Sequence, residues 1–148
     1  MFALALSVAR LEARSAADVI GALASRLSGA GHVKATFERA AQGREKKSPT
    51  GLPFSPWAVA LPHADPEHSN SPAIAVATLE RPVSFRQMGS PAVRLDVSIV
   101  VMPAFTAKEQ AASRLSSLIA LLQRGEIRER LMSAASPEAI LAVLEEGA

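Results

Sequence analysis

A chain of 148 residues, 49% of them hydrophobic, is long enough to bury the core of one globular domain. Its net charge is only +2, and its basic residues are scattered apart from Arg44, Lys46 and Lys47, which argues against nucleic-acid binding through a broad basic face. Cysteine is absent, which excludes disulfides, thiol catalysis and the usual structural zinc ligands.

Met1 to Ser15 starts apolar but has no positively charged n-region, and its apolar run is too short for a signal. No later stretch approaches a membrane span, so the expectation is a soluble, cytoplasmic protein with no direct membrane insertion. Phe2 to Ala9 alternates weakly and reads as a first strand, although Ala and Leu also suit a helix. Ser15 followed by Asp18 resembles an N-terminal cap, and Val19, Ile20, Leu23 and Leu27 form one apolar stripe. With Gly29 and Gly31 as the stop, the spacing predicts a helix over Ala16 to Ser28. His32 falls in the turn that follows and reads as a solvated loop histidine. A second helix is predicted over Val33 to Gln42, with Val33, Phe37 and Ala40 inward. Continuing that spacing reaches Arg44. Two readings of it fit equally: a guanidinium aimed along the inward face, or an ordinary arginine balancing the helix dipole.

Ser48, Pro49, Thr50, Gly51 and Pro53 break regular structure and predict a shaped loop. Trp57 to Leu61 reads as a strand that stops at Pro62, which offers no N–H to a ladder. Ala64 to Ser71 is another loop. Ala73 to Leu79 is an unbroken apolar run suited to a strand buried on both faces. Arg81 to Pro91 reads as a connector, with a hairpin excursion as the alternative. Leu95, Val97, Ile99 and Val101 then alternate with Asp96 and Ser98, as in a half-buried strand. Thr106 and Glu109 fit a capping box for a long helix with Leu115, Leu118, Ile119 and Leu122 as its stripe. A shorter helix follows over Ile127 to Met132. Ser136 and Pro137 open the last one, with Ile140, Val143 and Leu144 inward. Helices at both ends around at least three strands predict an α/β sandwich forming a single domain over residues 1–148.

The chemistry-bearing residues cluster between Arg44 and Ser71. They are Arg44 with Glu45, then Thr50, His63, and His68 with Asp65 and Glu67 between the two histidines. A metal site is the first rival, but the spacing matches no helical ligand motif and Pro66 interrupts it. No serine sits on a Gly-x-Ser-x-Gly elbow, and no glycine-rich phosphate loop is present. No metal or other cofactor is therefore expected. Histidine itself remains as a nucleophile: an imidazole nitrogen can attack a phosphoryl group and later leave readily. Such chemistry needs an arginine, hydroxyls and backbone N–H groups to stabilise the phosphoryl oxygens, and Arg44 and Thr50 are of the right types. Residue types alone leave open a loop histidine with no role.

The ordered set Arg44-Glu45, Pro49-Thr50-Gly51-Leu52-Pro53, Ala58-Val59-Ala60-Leu61-Pro62-His63, Asp65, His68, Ser71 and Ala73-Ile74-Ala75-Val76 continues through Pro82-Val83, Phe85 and Met88-Gly89 into the helical tail. It resembles the enzyme IIA domain of the phosphoenolpyruvate-dependent sugar phosphotransferase system, in the fructose-mannitol superfamily, and most of all the galactitol-type branch. The resemblance implies a mixed β-sheet covered by helices, and a phosphotransferase with a phosphohistidine intermediate. In such proteins the histidine after the proline accepts phosphate from the phosphocarrier HPr and passes it to an enzyme IIB partner, with a membrane enzyme IIC completing sugar uptake. Carried over by position, His63 is the phosphoacceptor and Arg44 the phosphate-stabilising cation, with Thr50 and Glu45 as support. The mannitol and fructose branches place a second histidine near the start of the long helix. Gln110 to Ser113 has none, and His68 is the candidate to replace it. Some relatives regulate other proteins without supporting transport, and a non-catalytic interaction domain is a third reading. Two partners docking in turn on His63 would need a shallow apolar rim, for which Leu52, Pro53, Phe54 and Trp57 are available, Trp57 being the one expected in the core.

Overall fold

The computed structural model describes residues 5–147. Strand β1 (Ala5–Leu11) takes up the predicted first strand, of which residues 2–4 lie outside the described residues. Helix α1 (Ala16–Gly29) begins as its sequence dictates: the Ser15 hydroxyl accepts the Asp18 N–H at 3.1 Å, and Asp18 in return accepts the Arg14 N–H at 3.0 Å.

Helix α2 spans Phe37–Lys47, not Val33 to Gln42. Its predicted first turn is diverted because Val33 bridges Ser69, the Lys34 N–H donates to the His68 carbonyl, and the His32 carbonyl accepts from Asn70 and Ser71. His32 is correspondingly half-buried, with Nδ1 2.8 Å from the Ser71 hydroxyl, and is not a solvated loop residue. Gly43 does not stop the helix. The inward stripe becomes Phe37, Ala41 and Glu45, and Arg44 turns outward.

Strands β2 (Gly51–Leu52), β3 (Ala58–Ala60), β4 (Ala73–Gln87) and β5 (Ser90–Ala104) complete a five-stranded mixed sheet with β1. β1 runs parallel to β4, β4 and β5 form a long antiparallel hairpin, β3 runs parallel to β5, and β2 closes antiparallel onto β3. The segment read as a connector, or as a hairpin excursion, is the end of this hairpin. It turns only at Met88 and Gly89, where Gly89 takes φ +76°, a conformation glycine adopts without strain. Gly51 is required for a different reason. A Cβ there would lie 2.6 Å from the Arg86 carbonyl oxygen, so only glycine lets β2 approach the hairpin.

Alternation along the strands makes two cores. Ala73, Ala75 and Ala77 face α1 and α2, their small side chains admitting Leu23, Leu27 and Phe37. Ile74, Val76, Val59 and Leu61 face α3 (Lys108–Gln123), α4 (Gly125–Ser133) and α5 (Pro137–Gly147). β5 is not the regular half-buried strand that its alternation predicts. It is buried on both faces from Val97 onward, and Val97 and Ile99 fall in different cores. An irregularity in the β3–β5 register, where Ala58 pairs Val97 and Val59 pairs Ile99, passes over Ser98 and switches the face.

Helix α3 starts at Lys108 with Ala107 at the cap position and no side-chain cap. Thr106 sits one residue too early for the predicted capping box. Ser136 does cap α5, its hydroxyl accepting the Ala139 N–H at 3.1 Å. No helix among the described residues is long and apolar enough to cross a membrane.

Candidate active site

Because β3 and β5 run parallel, both end at the same edge of the sheet, and that edge carries His63 and Phe105. β3 stops at Ala60, two residues before Pro62, and the chain turns so that the His63 ring folds back on its own backbone. His63 Nδ1 lies 2.8 Å from the Leu61 carbonyl oxygen. A carbonyl only accepts, so Nδ1 carries the proton, and in the neutral ring Nε2 keeps its lone pair. The ring packs edge-on against Phe105, with centroids 6.0 Å apart and planes at 77°.

His63 is only 8% exposed. Burial lowers its pKa below the ordinary 6.5, and the Arg44 charge adds to the effect, while the Leu61 hydrogen bond and the Asp65 carboxylate oppose it. The net result is an imidazole held neutral, with one nitrogen committed to the backbone and no hydrogen bond to Nε2 among the described residues. That is the state in which a ring nitrogen acts as a nucleophile.

Arg44 stands in the last turn of α2, near enough for its charge to act on this ring. Its Nη1 is 3.4 Å from Asp65 Oδ1, and the two side chains are 42% and 67% exposed. A pair that long and that wet holds the guanidinium loosely. Among the described residues its other donors make no hydrogen bond.

Glu45, the next residue, points the other way and is buried. Both its oxygens are taken by Thr50: Oε2 accepts the Thr50 N–H at 3.0 Å and Oε1 the Thr50 hydroxyl at 2.9 Å. Burial raises the Glu45 pKa above 4.5, and the Thr50 hydrogen bonds and the charges of Arg86 and Arg44 moderate the rise. The Thr50 oxygen in turn accepts the Leu61 N–H at 3.0 Å. Glu45 and Thr50 therefore stand behind the imidazole, and neither hydrogen-bonds it directly.

His68 lies on a single turn of 3-10 helix over Pro66–His68. Its Nδ1 is 2.8 Å from the Thr36 hydroxyl, and Thr36 consequently gives no side-chain cap to α2. Among the described residues no hydrogen bond joins His68 to His63, and no three His, Asp or Glu side chains gather as metal ligands. Along the rim Pro53 is exposed, while Leu52, Phe54 and Trp57 are half-buried and pack on the α3–α5 core.

Sequence reading missed two contributors. Phe105 follows the end of β5 as His63 follows the end of β3, so the parallel pairing of those strands was the signal that could have joined them. Arg128 falls inside the short helix predicted over Ile127 to Met132, and no residue of that helix was singled out. Arg128 is buried, donating to the carbonyls of Leu122, Gln123, Pro56 and Ser55 and lying 5.0 Å from the centre of the Phe54 ring.

Fold and site together define a mixed α/β protein built around one buried, neutral imidazole at a sheet edge, with a loosely paired arginine near it. The chain belongs to the EIIA 2 family of the phosphoenolpyruvate-dependent sugar phosphotransferase system, whose family model matches residues 2–147. It is 33% identical over 134 residues to the 2-O-alpha-mannosyl-D-glycerate-specific EIIABC component of Escherichia coli, covering 87% of this chain and 20% of that protein. A nitrogen regulatory protein of Pseudomonas aeruginosa is 32% identical over 102 residues, covering 68% of this chain and 62% of the relative. The chain thus spans about a fifth of the first relative and under two thirds of the second. Among solved structures, IIA mannitol of E. coli superposes with a TM-score of 0.75 at 21% identity, covering 91% of this chain and 92% of that one. The enzyme IIA in a complex with phosphorylated enzyme IIB of the E. coli mannitol system superposes with a TM-score of 0.72 at 20% identity, covering 93% and 92%. Both establish a common fold.

Proposed function

We propose that this chain is a phosphohistidine carrier, a single cytoplasmic phosphotransfer domain that accepts a phosphoryl group on His63 Nε2 from HPr and passes it to an enzyme IIB partner. The observation that carries this reading is the Nδ1–H bond to the Leu61 carbonyl, which leaves Nε2 as the nucleophile. As the Nε2–P bond forms, the bond from phosphorus to the donor atom breaks, and its electron pair leaves with the donor. The ring, now bonded at Nε2 and protonated at Nδ1, gains positive charge that the Leu61 carbonyl stabilises. The same charge makes the imidazole a good leaving group in the second transfer. Arg44 exchanges Asp65 for the phosphoryl oxygens in both steps, and His68 supports the site by holding the loop that bears Asp65.

Uptake of a sugar through a membrane enzyme IIC is supported as a reading by relatives that are EIIABC components. The lack of a histidine in the first turns of α3 favours the galactitol-type branch, making galactitol the first sugar to test. A regulatory relay is the second reading, favoured by likeness to the nitrogen regulatory protein.

Incubation with phosphoenolpyruvate, enzyme I and HPr should label wild type on a histidine, with the phosphate stable in alkali and labile in acid. The label should be absent from His63→Ala and present, more slowly acquired, in His68→Ala. Label retained in His63→Ala would overturn the assignment. Onward transfer to an enzyme IIB separates the transport reading from the regulatory one.

A further inference from the structure

An unbroken chain of hydrogen bonds runs from the core face of α2 to the reactive ring. Residue 45 continues the buried stripe of Phe37 and Ala41, where a side chain's own burial favours an apolar residue, yet it holds a carboxylate. That carboxylate accepts both donors of one residue, the Thr50 amide and the Thr50 hydroxyl, and so fixes Thr50 at backbone and side chain together. With its proton given to Glu45, the hydroxyl can only accept from its other neighbour, the Leu61 N–H. The place is set by register: Gly51 pairs Ala60 and Leu52 pairs Val59, so Thr50 stands opposite Leu61 one step past the last ladder pair. The Leu61 amide lies beyond the end of β3, and this side chain takes the place of a strand partner. On its carbonyl side the same residue holds His63 Nδ1.

We propose that Glu45 and Thr50 are positioning residues for phosphotransfer, setting the tautomer and orientation of His63 through Leu61. The inference rests on the carrier reading above for its kinetic consequence, but its structural consequence stands alone. A slack Leu61 would let the imidazole rotate or take the Nε2–H tautomer, in which the nucleophilic lone pair is lost. Neither Glu45 nor Thr50 is then required to touch the phosphoryl group.

The test compares Thr50→Val, Thr50→Ser and Glu45→Gln in the full chain. Tautomers of His63 are read by long-range nitrogen–proton NMR correlations without phosphate, folding by amide spectra, and phosphotransfer from phosphorylated HPr by rate. Thr50→Val and Glu45→Gln should convert a single Nδ1–H tautomer into a mixture and slow transfer about tenfold or more, while Thr50→Ser keeps both properties within about twofold of wild type. Should Thr50→Val fail to fold, the near-isosteric Glu45→Gln decides the matter. A folded Thr50→Val or Glu45→Gln with His63 still wholly Nδ1–H overturns the proposal, even if its rate has fallen. Failure of wild type to accept phosphate would defeat the carrier reading instead, and the tautomer measurement would still decide this one.

Discussion

Glu45 and Arg128 carry opposite charges into opposite layers of the molecule, and among the described residues neither forms a salt bridge. Glu45, under α2, concentrates its bonds on one residue, Thr50, and so passes an orientation on to the backbone beside His63. Arg128, in α4, spreads its donors over two separate segments. It satisfies the Leu122 and Gln123 carbonyls at the end of α3, where no intrahelical donor remains, and the Ser55 and Pro56 carbonyls of the loop that leads into β3. The difference teaches how a buried charge can serve either of two ends. Concentrated bonding fixes one group's geometry, whereas divided bonding ties pieces of architecture together.

The largest effect that would test this contrast is on stability. Arg128→Met removes charged donors from carbonyls at 2.8, 2.9 and 3.1 Å, and leaves the Leu122 acceptor buried and the other two partly so. At about 1.5–3 kcal/mol for each hydrogen bond to a charged group, with partial relaxation, the loss should be on the order of 3–5 kcal/mol. Urea unfolding measures it as a drop in midpoint. The His63 tautomer should be untouched in the folded variant. A loss below about 1 kcal/mol would mean that the architectural role is misassigned.

The next effect sharpens the comparison within α2, where adjacent residues point to opposite surroundings. Arg44 is exposed and loosely paired, so it contributes little to folding, and its value lies in the planar fork it can offer phosphoryl oxygens. Arg44→Lys keeps the charge and loses the fork. Transfer from HPr should slow roughly tenfold, or ~1.4 kcal/mol of transition-state stabilisation, with the unfolding midpoint unchanged. Equal rates in a single-turnover assay would leave Arg44 only its place at the helix end.

Where these roles could be read from sequence, the signal was local. Ser15 and Ser136 announced α1 and α5 because a cap is settled within three residues. Pro62 announced the end of β3, and with it the placing of His63. What was hidden depended on contacts remote in sequence. The first turn of the predicted second helix was lost to bonds with the Ser69 and His68 region, and this shifted the inward stripe from Arg44 to Glu45. The face switch at Ser98 is produced by a register irregularity, which strict alternation cannot reveal. The backward bond of His63 to Leu61 joins a side chain to a carbonyl, and no pattern of residue types specifies it. Trp57, expected in the core, does pack there in part, but with φ 64° its backbone takes a left-handed conformation that its type disfavours.

The smallest expected effect concerns Asp65 and is best read as a function of pH. The unfolded chain takes up a proton on His63 near 6.5, before the folded one does, so stability falls as pH drops below 6.5 until the folded imidazole is also protonated. Glu45 acts with the opposite sign. Its folded pKa is raised above 4.5, so stability is lost as pH rises through the window between the unfolded and folded values. Asp65 is the one carboxylate whose charge draws the His63 pKa upward, against burial and Arg44. Asp65→Asn should therefore lower the midpoint of His63 titration further, as followed by the NMR shift of its ring proton, and leave Glu45 as it was. Its exposed pair with Arg44 is worth no more than about 0.5 kcal/mol, so the unfolding midpoint at neutral pH should not move measurably. With the guanidinium released, acceptance of phosphate should hold its rate or quicken slightly. A midpoint that stays or rises in Asp65→Asn would show that the carboxylate acts on Arg44 alone, and that the ring answers only to its burial and to the backbone behind it.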